Sequence, residues 1–478
     1  MRLFSVLYIA CILLSFSTRA QPSGSVWSLQ QCVQYAVDHN ISIKQDSITA
    51  RLARYTLQQS QLSQLPAISA NGSYGRSFGR SINPTTNQFI DADYNFLSAS
   101  GNCSVLLFGW MQVRNTIAKN RYALQATIAD LDQLRNDVSL NVANSFLAVL
   151  LAQEQISISK NQVGLSQAQL DQTKAFADAG RLPELNVAQL ESQLATDSSN
   201  LINAIATYNS AVLDLKTLLN LDFSEPFTIQ VPDIESLDPA TVQNAPPEAV
   251  FLEARRHFGS VRGSELRVTS AEKALAAAKA GLYPQLTAGY QVGTNYADNF
   301  QKVSYGRDTI LPTGAFLLTS PTPTLVYEQT RIPSIENTPF GEQFRNNVRQ
   351  SLFLSLNIPI FNGWQSQYAV RQAKMNLYSQ QLNRYNAELT LRQNVYKAHN
   401  NALNSIQKYY AARHADDAAR RALDFAKKRY DLGLTSTVDL LVTQNSQFTA
   451  AANLAIAKYD LIFKLKVIDY YLGKQLKL

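Results

Sequence analysis

Between Phe108 and Gly180, and again between Phe361 and Gly433, the chain runs for 72 positions without a proline and with almost no glycine. Proline removes a backbone donor and clashes with the preceding turn, and glycine weakens a helix interior, so each stretch is free to form one unbroken helix. At about 1.5 Å per residue, a helix over 111–179 would be roughly 100 Å long. The equal lengths reflect a duplication. Phe108 and Phe361, Gly180 and Gly433, and Leu219 and Leu472 all lie 253 positions apart. Upstream, Leu65-Pro66 followed by Gly75 matches Tyr283-Pro284 followed by Gly293 at a spacing of 218. One spacing held over more than a hundred residues marks an internal repeat. The step from 218 to 253 puts 35 extra residues between Gly293 and Phe361. That region, 299–347, contains Pro312, Pro321, Pro323, Pro333 and Pro339 and reads as a long irregular loop.

Before the second junction, Leu352, Leu354, Leu356, Ile358 and Ile360 alternate with Phe353, Ser355, Asn357 and Pro359, the period of a strand with one apolar face. The repeat partner places Ala99, Gly101, Cys103, Val105 and Leu107 on that face, with Ser98, Ser100, Asn102 and Ser104 opposite. Ile68, Ala70, Gly72 and Tyr74 match Leu286, Ala288, Tyr290 and Val292 in the same way. The spacing predicts four strands, two per repeat. Helices are expected over 29–65 and 247–283, ahead of the strands. After each glycine turn a return helix is expected, with Leu190, Leu194, Leu201, Ile205, Tyr208, Val212, Leu215 and Leu219 forming one apolar stripe.

The first twenty residues carry Arg2, an apolar run and Thr18-Arg19-Ala20, and read as an export signal. The expected organisation is a signal peptide over 1–20, repeat 1 over 21–221, a proline-rich linker over 222–246, and repeat 2 over 247–478 with its long loop at 299–347 external, since transmembrane barrels put their long loops on the cell exterior. No later stretch has the apolar length of a transmembrane helix. A net charge of +7 without any long Lys/Arg block gives no support for nucleic-acid binding. Four His, three Cys and no catalytic constellation leave no case for a metal centre, a cofactor or an enzyme.

An exported chain with four amphipathic strands cannot close a barrel alone, because the smallest bacterial barrels have about eight. Its sheet edges must pair with copies of itself, two giving eight strands and three twelve. The fold class expected is an α+β membrane protein, long helices continuous with a transmembrane β-barrel, with four strands per protomer and two tandem structural repeats; that the helices form a helical-barrel tunnel is what the family resemblance given below implies. Such an object is a duct in the outer membrane of a Gram-negative bacterium, with a periplasmic extension. The competing class is a periplasmic coiled-coil adaptor or structural protein, which would not explain the strands.

The duplicated helix-strand-strand-helix plan, the junctions Leu107-Phe108-Gly109-Trp110 and Ile360-Phe361-Asn362-Gly363-Trp364, and the turns at Gly180 and Gly433 resemble the TolC family of outer-membrane efflux proteins. The resemblance implies a homotrimer with one twelve-stranded barrel set in outer-membrane lipid. It also implies a helical tunnel that docks to a periplasmic adaptor and an inner-membrane pump of RND or ABC type, with the outer protein a passive conduit for efflux or type I secretion. In the family an Asp six residues after the second turn glycine projects into the tunnel entrance, and that position is Asp439. The closed tip is held there by a Tyr, an Arg and an Asp, at positions occupied here by Tyr430, Thr435 and Asn186. The charge-assisted pair is therefore absent, and closure is expected to rest on apolar packing or on a different polar set including Arg181, with a Tyr430–Asn186 hydrogen bond still open to the chain.

Other residues have plainer readings. Ser436 and Asp439 have the spacing of a helix capping box, so Asp439 has a structural role to weigh against an entrance ring. Cys103 reads as a small filler on the lipid side, together with Leu352, Leu354, Leu356, Ile358 and Ile360, and Cys32 as a second free thiol. His39 and His257, 218 apart, mark a repeated structural position near a helix end. Arg413, Arg420, Arg421, Lys427, Lys428 and Arg429 suit a helix C-terminus, with adaptor docking as the alternative.

Overall fold

The computed structural model describes residues 26–82, 88–91, 93–231, 246–318 and 322–474. The expected signal peptide and most of the linker lie outside these. In chain order the elements are β1 (Val26–Trp27), α1 (Leu29–His39), α2 (Ile41–Leu62), β2 (Ala67–Ser77), β3 (Arg80–Ile82), β4 (Phe89–Asp91), β5 (Tyr94–Phe108), α3 (Gln112–Asp178) and α4 (Glu184–Leu219). The second half contains β6 (Thr228–Ile229), α5 (Pro247–His257), α6 (Gly259–Ala280), β7 (Gln285–Ala297), β8 (Gln301–Leu317), β9 (Thr324–Asn337), α7 (Phe340–Asn346), β10 (Arg349–Asn357), α8 (Gln365–Asp431) and α9 (Thr437–Tyr471). The described residues form two compact units: a helical one from 26–55, 121–231, 246–270 and 378–474, and one from 56–82, 88–91, 93–120, 271–318 and 322–377 that holds the large sheet.

The duplication holds at the level of single hydrogen bonds. Both long helices have 67 residues. Each starts after two consecutive residues with positive φ, Trp110 and Met111 in one repeat and Gly363 and Trp364 in the other. These are equivalent at a spacing of 253, and so are the bonds Gln112 N–H to Gly109 O and Gln365 N–H to Asn362 O. Left-handed backbone is unfavourable for Trp and Met, and persists only where the surroundings enforce it. The Trp110 ring is held against Phe108 and Tyr283.

The helices expected over 29–65 and 247–283 are each broken once. Asn40 and Phe258 leave the helical conformation at equivalent positions, their N–H groups donating to Ala36 O and Ala254 O. Asn40 makes the break a tie, since its Nδ2 donates to Leu218 O at 3.2 Å and its Oδ1 accepts from Ser42 N–H at 2.9 Å. His39 and His257 close the helices before these breaks, as their spacing suggested. The helical core gathers Cys32 and Ala36 of α1, Val142, Phe146 and Leu150 of α3, and Leu215 and Leu219 of α4. Burial pushes the Cys32 thiol up to about 12, so it stays protonated and unreactive at neutral pH.

The main sheet has the order β10-β7-β5-β2, every pair antiparallel, and the two repeats meet at β5 and β7. Ile68, Cys103, Tyr290 and Leu352 form one row across all four strands, and Leu354, Ala288 and Val105 form the next along three of them. The expected apolar face is therefore continuous, and Leu352 is 82% exposed. The opposite face carries serines, with Ser73 and Ser98 sharing a hydrogen bond of 2.7 Å. Two aromatic rings interrupt it, Phe96 over Gly75 and Phe353 over Gly289.

Three expectations need correction. The strand ends at Asn357, so Ile358 and Ile360 lie beyond it; Pro359 has no N–H to continue the ladder. Leu107 does not continue the apolar face, because the register shifts between Leu106 and Phe108 and it is Phe108 that faces Leu286. The largest difference is at 299–347, read as irregular loop. It forms the antiparallel hairpin β8–β9 and the helix α7. Proline did not prevent this, because both strands of a two-stranded ribbon are edges, where an imino nitrogen faces outward without loss. Pro312 and Pro333 pair with Tyr327 and Tyr305 within the hairpin.

The Phe353 ring requires a glycine beneath it: a Cβ on Gly289 would lie 2.3 Å from the ring. Gly289→Ala should lower the melting temperature of the detergent-purified protein, and adding Phe353→Ala should recover most of the loss. No recovery in the double variant would show that the ring is not the cause.

Candidate functional site

Both helical hairpins turn in the same way. Gly180 and Gly433 have φ of +69° and +70°, a conformation that glycine adopts without a Cβ penalty. Arg181 N–H donates to Phe176 O while Gly180 N–H donates to Ala177 O, and Leu434 and Gly433 repeat the pattern on Arg429 and Tyr430. These paired bonds satisfy the carbonyls that a helix C-terminus leaves open. The first return helix starts at Glu184 behind Pro183, the second at Thr437 behind Ser436.

At these turns the structure brings together some of the expected residues and separates others. The buried Tyr430 hydroxyl bonds to the Thr173 hydroxyl at 3.1 Å and to the Thr437 hydroxyl at 3.3 Å. It does not bond to Asn186, which sits in the first turn of α4 with its N–H on Pro183 O. Gln172 Nε2 donates to Asp431 Oδ1 at 3.1 Å, a second link between the hairpins. Thr435 is half-buried in the turn. Ser436 caps the helix, its hydroxyl accepting from Asp439 N–H at 3.1 Å and donating to the Asp439 carboxylate at 2.7 Å; the carboxylate holds the capping hydroxyl and does not take the Ser436 N–H of a full capping box. Asp439 remains exposed. The Arg181 guanidinium lies over the Phe176 ring, 4.8 Å from its centre. Several of the basic residues near the turn are engaged locally, Arg420 with Asp416 and Lys428 with Asp424.

A feature that apolar patterning does not show lies behind the turns. Ser159, Gln162, Ser166, Gln169 and Thr173 of α3 are all buried, at alternating steps of three and four. That is the spacing of a coiled-coil core, filled here by polar side chains. Earlier on the same helix, Val138, Val142, Phe146 and Val149 fill it with hydrocarbon. On α4 the seam passes through Leu190, Asp197 and Ala204, while Ile205 of the expected stripe is exposed.

Asp197 is the centre of this seam, 1% exposed. Its carboxylate accepts from Ser166 Oγ at 2.5 Å, Gln193 Nε2 at 2.9 Å and Gln162 Nε2 at 3.3 Å. The fully buried Gln444 donates to Ser166 at 2.9 Å, extending the network to α9. Three neutral donors take the place of water around the anion, as a buried carboxylate requires. The Gln169 amide and Gln444 Oε1 have no partner among the described residues, which makes this half of the seam weaker than the hydrocarbon half. The second hairpin buries Asp416 equally deeply, bonded to Gln447 and Arg420. Asp197 follows Gly180 by 17 positions and Asp416 precedes Gly433 by 17.

Asp197→Ala would leave three donors without their acceptor, at a cost of about 3 kcal/mol for a network centred on a charge. Hydrogen exchange should speed up at amides 159–173 and stay slow at 138–150. Uniform acceleration along α3 would contradict a separable polar segment.

Against this geometry the comparisons with known proteins are consistent with one another. The family profile described as outer membrane efflux protein matches residues 32–221 and 253–473, both repeats without the segment that joins them. Outer membrane protein TolC of Salmonella enteritidis is 22% identical over 467 residues, covering 97% of this chain and 85% of that protein. Outer membrane efflux protein BepC of Brucella suis is 24% identical over 460 residues, covering 95% and 87%. Among solved structures, the Campylobacter jejuni CmeC outer membrane channel superposes with a TM-score of 0.74 at 17% identity, covering 95% and 90% of the two chains. With both repeats matched in order, the chain belongs to the outer membrane efflux protein family.

Proposed function

We propose that this chain is one of three identical protomers of an outer-membrane exit duct, serving a tripartite efflux or type I secretion system. The single observation that carries the reading is the sheet: four strands, an unbroken apolar face, and two edges, β2 and β10, that pair with nothing in the described residues of their own chain. Strands of 9 to 15 residues match the length needed to cross a bilayer. In hydrocarbon each unpaired backbone group costs several kcal/mol, so the edges must meet those of other copies. Three copies supply twelve strands. The duct is passive and not an enzyme; an inner-membrane pump, reached through a periplasmic adaptor, supplies the energy.

On this reading the face of Leu352, Leu354, Leu356 and Cys103 meets lipid, and the serine-rich face lines the lumen. The turns at Gly180 and Gly433 form the periplasmic entrance. Its closure rests on apolar packing of Leu165, Leu423, Ala426 and Leu440 near the turns and on the seam behind them, and the neutral bonds of the buried Tyr430, Thr173 and Thr437 hydroxyls add little. The three exposed Asp439 carboxylates form a ring that favours cations, in addition to holding the Ser436 hydroxyls that cap their helices.

The face assignment is tested by charge. Leu356→Arg should reduce the yield of heat-resistant trimer, since an arginine facing lipid near the midplane costs about 2 to 4 kcal/mol. Ser355→Arg should be milder, and equal losses would show the faces reversed. The entrance is tested in planar bilayers. Tyr430→Phe should raise resting conductance only slightly, and Asp439→Ala should lower cation preference. A large conductance rise in the first would reveal a polar lock at Tyr430, and unchanged selectivity in the second would leave Asp439 only its capping role.

A further inference from the structure

The β8–β9 hairpin is a long amphipathic ribbon. Seventeen residues in β8 extend roughly 56 Å at about 3.3 Å each. Val303 and Tyr305 pair with Ile335 and Pro333 on one face, and Ile310 and Tyr327 continue that face. Lys302, Ser304 and Thr309 pair with Glu336, Ser334 and Thr330 on the other. The apolar side chains are nevertheless exposed, Tyr305 at 65% and Ile335 at 59%. An isolated two-stranded hairpin is marginal in water, so a ribbon of this length with a bare apolar face needs cover.

The direction of that face at the hairpin base follows from α7. This helix packs on β7 through the Tyr296 ring, 5.1 Å from Phe340, and through Thr294, whose hydroxyl donates to Phe344 O at 2.8 Å. Tyr296 and Thr294 pair with Leu97 and Ala99, which places them, and α7, on the apolar face of the main sheet. Lys302, on the polar face of the hairpin, reaches back to Glu342 of α7 at 2.9 Å. The polar face of the hairpin therefore lies on the side of the sheet's apolar face. Val303, Tyr305, Pro333 and Ile335 lie on the side of its serine-rich face.

We infer that these apolar hairpin faces pack against one another around the three-fold axis, forming a collar of three hairpins at the outer mouth of the duct. The inference rests on the trimer and face assignment proposed above: if the serine-rich face lines the lumen, what faces Tyr305 and Ile335 across the axis is the same surface on the other two copies. Charge does not oppose the contact. The charged pair on this face, Asp308 and Arg331, is neutralised within the hairpin at 2.5 Å. Copies already joined through their barrel strands hold the hairpins at high effective concentration, so modest apolar burial suffices to bring them together.

The experiment is cysteine cross-linking of the purified full-length protein in lipid nanodiscs, in a Cys32→Ala, Cys103→Ala background. With a short bis-maleimide, most Ile335→Cys chains should shift to covalent dimers, while Ser334→Cys, on the opposite face, should stay monomeric on denaturing gels. If Ile335→Cys instead reacts fully with a hydrophilic monofunctional maleimide and gives no dimer, the face is open to water and the collar is wrong. Cross-linking to a co-purified protein, or protection only when lipopolysaccharide is present, would assign the face to another occupant and overturn it as well. The same reagents applied to Ser355→Cys and Leu354→Cys separate the two levels. Labelling of the first and not the second supports the face assignment by itself. The reverse, with dimers from Ser334→Cys, would bring down that assignment and the collar together.

Discussion

The pairing of backbone N–H and C=O groups at the two outer strands of the main sheet is the constraint on which the other features depend. Four strands with an apolar face cannot lie in a bilayer with open edges, because lipid supplies neither donors nor acceptors. Nor can four twisted strands curl onto themselves. The duplicated chain meets this in two steps. Its own repeats join at β5 and β7, leaving β2 and β10 as the edges. Copies must supply the rest, which makes assembly part of folding.

Much of this plan is legible in the sequence because it depends on spacing. The freedom from proline over 72 positions marks both long helices, and the constant 253 sets their turns and junctions in register. The equivalence extends to the left-handed pairs Trp110–Met111 and Gly363–Trp364, which align by backbone conformation and not by residue type. The apolar row of Ile68, Cys103, Tyr290 and Leu352 was readable because alternation by two has a direct geometric meaning.

What was not legible depends on partners distant in sequence. The hairpin at 301–337 looks irregular because its prolines break alternation, yet in a two-stranded ribbon they occupy edge positions where no donor is required. The break at Asn40 carries neither proline nor glycine, and Asn40 becomes a break through its tie to Leu218. The polar seam is not legible because a helix core shows in sequence through the periodicity of apolar residues. Ser159, Gln162, Ser166, Gln169 and Thr173 keep the three-four spacing with none. Tyr430 stands at the position where the resemblance expects a gate tyrosine, but its partners are the hydroxyls of Thr437, across the Gly433 turn, and of Thr173, which only the packing of the two hairpins brings near.

The two halves of the helical seam differ in what separating them costs. Hydrocarbon at Val142, Phe146 and Val149 loses its burial when parted, whereas hydroxyls and amides near the turns exchange their bonds for water at little net cost. One helix pair thus has a fixed core and a looser end. All of this presupposes that copies close the sheet, and the number of copies tests that most directly. Native mass spectrometry of the detergent-released complex should give three times the mass of the mature chain, for twelve strands. A stable monomer would mean that the edges of β2 and β10 are satisfied in some other way, and a dimer would mean an eight-stranded closure; either would contradict the account.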